Sequence, residues 1–218
     1  MKNQNCIYKD SCDSVCNQSC IRYLEMKYML DNSNIPKNMQ RITKLVPQDC
    51  DYDAFVKLAD IQLNVGDFVF NGSNLYIYSN MCGNGKTTWS IKIMLQYFDS
   101  VWAGNAFTKR GLFLNVPTFL YECKNAISNP TKEFNELKAL IPKVDLLILD
   151  DIACTDLSKF DYSTLLVYIN TRLLNNKSII YTSNVKPNDL YDIVGQRIAS
   201  RICSKDTIKV EFKGGDSR

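Results

Sequence analysis

Ser79-Asn80-Met81-Cys82-Gly83-Asn84-Gly85-Lys86-Thr87-Thr88 decides how the rest of this chain is read. It is one residue short of the phosphate-binding pattern G-x-x-x-x-G-K-[ST]. Gly85, Lys86 and Thr87 fill the last three places, and Asn80 stands where the first glycine belongs. Asn is the non-glycine residue that best tolerates positive φ, so the departure reads as mild. The apolar run Leu75 to Tyr78 before the loop reads as a buried strand. Trp89 to Phe98 after it carries apolar residues at helical spacing. Backbone N–H groups of such a strand–loop–helix converge on phosphate oxygens at a helix N-terminus. Lys86 would reach the β- and γ-phosphates of a nucleoside triphosphate, ATP first among them, and Thr87 would hold Mg²⁺. Asn80, Cys82, Gly83, Asn84, Gly85 and Thr88 complete the expected nucleotide-contacting set.

Outward from the loop, apolar strands alternate with helical stretches. Strands are expected at Leu112 to Val116, Asp145 to Asp150, Ser178 to Thr182 and Ile208 to Phe212. Helices are expected from Pro117 through Cys123, over Lys132 to Leu140 and over Tyr162 to Leu174. Continuous apolar strands between helices predict a parallel five-stranded sheet covered on both faces, an α/β fold of the P-loop NTPase kind. Leu146-Leu147-Ile148-Leu149-Asp150-Asp151 ends a buried strand in two acids. The carboxyl edge of an α/β sheet is where ligand chemistry sits. Asp150 would join Thr87 around Mg²⁺, and Asp151 would orient or deprotonate an attacking water. Ser178 to Asn184 is a strand ending in polar residues; lying between the loop strand and the acidic strand, it would present the Asn184 amide to that water. Arg197 and Arg201 are one helical turn apart and share a face; solvated surface and phosphate-directed roles are both open.

The bulk composition sets limits. The chain has 218 residues, 45% apolar and 22% charged, with a net charge of +3. No apolar run approaches the ~20 residues of a membrane span, and no signal peptide is visible. There is no histidine, which excludes Ser-His and Cys-His catalysis, histidine bases and His-bearing metal sites. Of nine cysteines, Cys6, Cys12, Cys16 and Cys20 cluster as C-x5-C-x3-C-x3-C, with Cys50 a spare. In a reducing compartment four thiolates suggest a zinc site; an iron–sulfur cluster and unligated thiols are the alternatives. Cys82, Cys123, Cys154 and Cys203 read as small buried residues. A helical stretch at Ile21 to Leu30 and another over Asp53 to Leu63 flank a proline-bearing connector. The division expected is a Cys-rich region and connector over 1–54 and an ATPase domain over 55–218.

Taken in order, Gly-Asn-Gly-Lys-Thr, Leu-Ile-Leu-Asp-Asp-Ile, Tyr-Thr-Ser-Asn, Arg-Ile-Ala-Ser-Arg-Ile and the closing Phe212 to Arg218 resemble the AAA+ ATPases of the DnaC/DnaI helicase-loader type. The resemblance covers about residues 55–218. It implies Mg-dependent ATP hydrolysis at interfaces of a homo-oligomer. It implies a DnaB-type hexameric replicative helicase and single-stranded DNA as partners, in a bacterial cytosol or, for a phage protein, its host's. It places Lys86, Thr87 and Asp150 at nucleotide and Mg²⁺, Asp151 at the water and Asn184 at the sensor of the fourth strand. It matches Arg201 with an arginine finger acting on the neighbouring subunit, Arg197 competing, and Arg218 with a second sensor. Some loaders carry an N-terminal zinc-binding domain, which makes residues 1–54 the expected helicase-binding part. A transposition-type AAA+ regulator and a nucleotide-gated adaptor with negligible hydrolysis are the alternatives. Trp102, Phe107, Lys109 and Arg110 gather aromatic and basic character suited to single strands, but equally to core and surface.

Overall fold

Side chains along a strand point alternately to opposite faces, and in this chain both faces are apolar. The computed structural model describes residues 6–9, 12–13, 16, 19–41, 45–104, 106–154 and 156–215. Its strands are β1 (Asn74–Tyr78), β2 (Gly111–Asn115), β3 (Leu146–Asp150), β4 (Ser178–Ser183) and β5 (Thr207–Glu211). They pair in parallel in the order β2-β3-β4-β1-β5. Strand β4 therefore separates β1 from β3, as its proposed role at the site requires. The helices are α1 (Ile21–Asp31), α2 (Tyr52–Leu63), α3 (Val65–Phe70), α4 (Lys86–Val101), α5 (Val116–Ser128), α6 (Lys132–Leu140), α7 (Lys159–Leu174), α8 (Leu190–Val194) and α9 (Gln196–Ile202).

Two cores result. Leu75, Ile77, Leu146, Ile148 and Ile180 face α1 to α4, where Met26, Leu58, Phe68, Met94 and Phe98 meet them. Tyr76, Leu147, Leu149, Ile179 and Tyr181 face the other way, into Phe119, Leu165, Ile169, Leu190 and Ile198 of α5 and α7 to α9. Sheet edges invite unwanted pairing, and here both are managed. The Phe113 N–H donates to Ser33 O at 2.7 Å and Asn34 Nδ2 to Phe113 O at 3.0 Å, covering the edge of β2. On β5 the edge carries Lys209, whose Nζ donates to Ser204 O.

Buried polar groups fix the remaining joints. Arg172 of α7 is fully buried with no ion pair among the described residues, and burial pushes its guanidinium down to about 10. Its nitrogens donate instead to the carbonyls of Ile141, Val144, Asp145 and Ser178 at 2.6–3.0 Å. That bolts α7 to the starts of β3 and β4. At the other end of the chain, Tyr8 Oη donates to Asp99 Oδ1 at 2.6 Å, and the Arg22 guanidinium lies 3.8 Å from the Tyr8 ring centre while pairing with Asp99. Tyr8 and α1 are thus packed on the C-terminal half of α4.

Candidate nucleotide-binding site

All five strands run in parallel, so their carboxyl ends gather Ser79, Asn115, Asp150, Ser183 and Glu211 on one edge. The loop 79–85 leaves β1 there and delivers Lys86 as the first residue of α4. Gly83 and Gly85 take φ of +75° and +90°, which L side chains rarely adopt. A Cβ at Gly85 would meet nothing within 4 Å, so its backbone angle, not space, demands glycine. Asn80 does not take positive φ. The missing glycine therefore costs no strain, for a simpler reason than asparagine's tolerance.

The loop is braced from within. Ser79 Oγ accepts from the Met81 N–H at 3.0 Å and from Asn84 Nδ2 at 2.6 Å. Lys86 is 6% exposed, and its Nζ donates to Met81 O at 2.8 Å and to Asn84 Oδ1 at 3.0 Å. The ammonium thus rests inside the loop that would receive the phosphates. Asn80 and Cys82 are exposed, while Thr87 and Thr88 are half-buried.

The two acids are held by threonines. Asp150, 4% exposed, accepts from Thr87 Oγ1 at 2.8 Å and from Thr182 Oγ1 at 2.7 Å, both on Oδ1. Thr182 Oγ1 also accepts the Asp151 N–H at 3.0 Å, and its carbonyl accepts from Ile152. Asp151 takes φ of +57°, an uncommon angle for a residue other than glycine. One hydroxyl of β4 thus fixes Asp150, the last residue of β3, and Asp151, which follows it. Asn184 follows β4 immediately, and its Oδ1 is buried without a hydrogen-bond partner. A hydroxyl and a carboxylate joined at 2.8 Å offer a hard oxygen donor pair, which fits Mg²⁺.

The structure leaves other expected residues apart. Arg197 is exposed, and Arg201 donates through Nε to Asn170 of α7 and through a terminal nitrogen to Arg197 O at 2.7 Å. Their helix α9 packs into the core on the sheet face opposite α4. Arg218 lies outside the described residues. The zinc expectation is not supported. Among the described residues no three Cys, Asp or Glu converge on a possible metal position. Cys6 and Cys12 pack against the α1–α4 core, and Cys20 is exposed at the start of α1. The scattered cysteines also need correction. Cys123 is buried, its thiol pushed up to about 11 by desolvation, and Cys203 is half-buried. Cys82 and Cys154 are exposed, because they occupy the phosphate loop and the turn after the acidic pair. Of the aromatic and basic group, Phe107 is 50% exposed and stacks edge-on with Tyr28, while Arg110 pairs with Asp145.

With this geometry in place, residues 53–207 match the family model described as the bacterial DnaA ATPase domain. The chain belongs to the bacterial DnaA ATPase domain family. Within curated proteins, it is 29% identical over 160 residues to the chromosomal replication initiator protein DnaA of Mycoplasma genitalium. That match takes in 73% of this chain and 34% of the initiator, so the chain spans about a third of that relative's length. A crystal structure of the DnaC helicase loader superposes with a TM-score of 0.65 at 16% identity, over 86% of this chain and 99% of the loader. A crystal structure of DnaI gives 0.62 at 23% identity, over 82% and 95%. At these identities the likeness is one of fold. The DnaA-family match and the loader fold agree with the AAA+ resemblance carried by the motifs.

Proposed function

We propose that this member of the DnaA ATPase domain family binds and hydrolyses ATP and acts as a helicase loader in DNA replication. The observation that carries the nucleotide reading is the joining of Thr87 to Asp150 beside a glycine-bent loop with a buried lysine. Loop N–H groups and Lys86 would hold the β- and γ-phosphates, with Asn80, Cys82 and Thr88 around them. Thr87 and Asp150 would hold Mg²⁺, which neutralises charge on the transferring phosphoryl group. Asp151, fixed by Thr182, would take the proton of the attacking water, and the free Oδ1 of Asn184 would align that water. Arg201, with Arg197 as competitor, would reach a neighbouring subunit's nucleotide; the placement of α9 opposite α4 supports donation outward. Arg218 would contact the γ-phosphate. Residues 1–54 would engage a DnaB-type hexamer, and 55–218 would form the ATPase domain, working on single-stranded DNA in the cytoplasm.

Asp151→Ala should retain ATP binding and lose phosphate release by on the order of 10²–10⁴-fold. Release assays with single strands and a replicative helicase present decide this. No release from the unaltered protein under those conditions sinks the hydrolysis reading, and failure of the full chain to co-sediment with the helicase sinks the loader reading.

A further inference from the structure

One buried carboxylate plays no part in the site above. Asp51 is 3% exposed, in the turn before α2, and its side chain does not cap that helix. Its Oδ1 accepts the Lys213 N–H at 2.6 Å, and both its oxygens accept the Gly214 N–H at 3.2 Å. Beside it, Gln48 Nε2 donates to Gly215 O at 3.3 Å. The connector thus grips three consecutive residues that follow β5. The grip is close: a Cβ at Gly214 would lie 2.4 Å from Gln48 Oε1 and 2.5 Å from Asp51 Oδ2, so any larger residue must push the gripping side chains aside.

The far side of the same residue faces the phosphate loop. The Gly214 carbonyl accepts from Asn84 Nδ2 at 3.4 Å, and Asn84 Oδ1 accepts from Lys86 Nζ. Phe212, one residue before the gripped segment, packs edge-on against Phe55, and Phe55 against Trp89 of α4. A carboxylate removed from water and committed to backbone N–H groups fixes a chain path strongly, because charge-assisted bonds are the strong ones and a buried charge cannot be left unpaired. Here the fixed path runs along Asn84, whose Nδ2 is shared between Ser79 Oγ at 2.6 Å and the Gly214 carbonyl at 3.4 Å.

We propose that Asp51 is a positioning residue of the nucleotide site. It straps Lys213 to Gly215 against the phosphate loop and, through the Gly214 carbonyl and Asn84, sets where Lys86 rests. This deepens the nucleotide reading above and rests on it. Releasing the strap removes one of the two acceptors of Asn84 Nδ2 and loosens a loop whose pre-set shape favours phosphate binding.

The test is titration of the full chain with Mg-ATP by calorimetry, alongside thermal unfolding. Asp51→Asn keeps the side chain's size and should raise the ATP Kd about tenfold. Gly214→Val attacks the strap from the tail side and should do the same. Asp51→Ala should weaken binding in the unaltered background but change it less than about twofold in an Asn84→Ala background, since contacting residues in one network are non-additive. A purely structural Asp51 would instead lower the unfolding temperature in both backgrounds without this dependence on Asn84. Unchanged ATP affinity in both Asp51 variants, or equal weakening in both backgrounds, overturns the strap. Absence of ATP binding by the unaltered chain overturns the nucleotide reading itself.

Discussion

At the scale of single residues, the centre of the site is a shared oxygen. Thr87 and Thr182 both donate to Asp150 Oδ1, and Thr182 also receives the Asp151 N–H. Residues that orient metal ligands typically matter 10- to 100-fold for metal affinity. Thr182→Val removes the hydroxyl at constant shape. It should raise the half-saturating Mg²⁺ for ATP hydrolysis by about 10- to 100-fold, while Thr182→Ser should restore the unaltered value. Equal Mg²⁺ titrations for the valine and serine variants would show the hydroxyl to be idle. The convergence of Lys86, Thr87, Asp150 and Asp151 at one end of the sheet was legible because motif spacing places a loop and an acidic strand end together. Thr182 was not, since a β-branched residue in a strand has an ordinary packing explanation. Nor was Asp51, whose backbone partners lie 162 and 163 positions away along the chain. The cysteine spacing found no such support: Cys6 and Cys12 pack against an apolar core, and among the described residues no three possible ligands converge.

At the scale of elements, α7 shows how a helix start is secured. Ser158 Oγ accepts the Asp161 N–H, and the Asp161 carboxylate reaches back to the Ser158 N–H, a reciprocal cap. Ser158→Ala should cost about 1 kcal/mol in denaturant unfolding. Burial raises the Asp161 carboxyl, but its bonds to Lys124 and Ser158 outweigh that and hold it below 3.8. A depressed folded-state value means that the contribution is complete above 3.8, the unfolded value, and is lost as pH falls through the lower folded one. The stability gap between the unaltered protein and Asp161→Asn should therefore narrow in acid below that point. A gap independent of pH would contradict the assignment. All five strands and the longer helices were legible within a few residues, because buried parallel strands read as unbroken apolar runs. Helices α3 and α8 were not. With six and five residues they are shorter than two helical turns, and tertiary packing rather than periodicity holds them.

At the scale of the whole molecule, a loop with its lysine and a helix with its paired arginines sit on opposite sides of one sheet. If neighbouring subunits complete each other's sites, Lys86→Ala and Arg201→Ala should each abolish turnover alone. An equal mixture should recover roughly a quarter of the unaltered rate, because about that share of head-to-tail interfaces then holds one intact lysine and one intact arginine. A mixture as silent as its components would remove Arg201 from the trans role. The sheet that divides these features also feeds alternate residues of β1, β3 and β4 into two separate cores. A single residue inserted within Leu146 to Leu149 would exchange the cores for part of β3 and put Asp150 out of step with Thr182 on β4. The strands thus behave as a fixed reading frame. Changes in chain length should therefore be tolerated in the connections between elements, which is where proteins of this fold but different length should diverge.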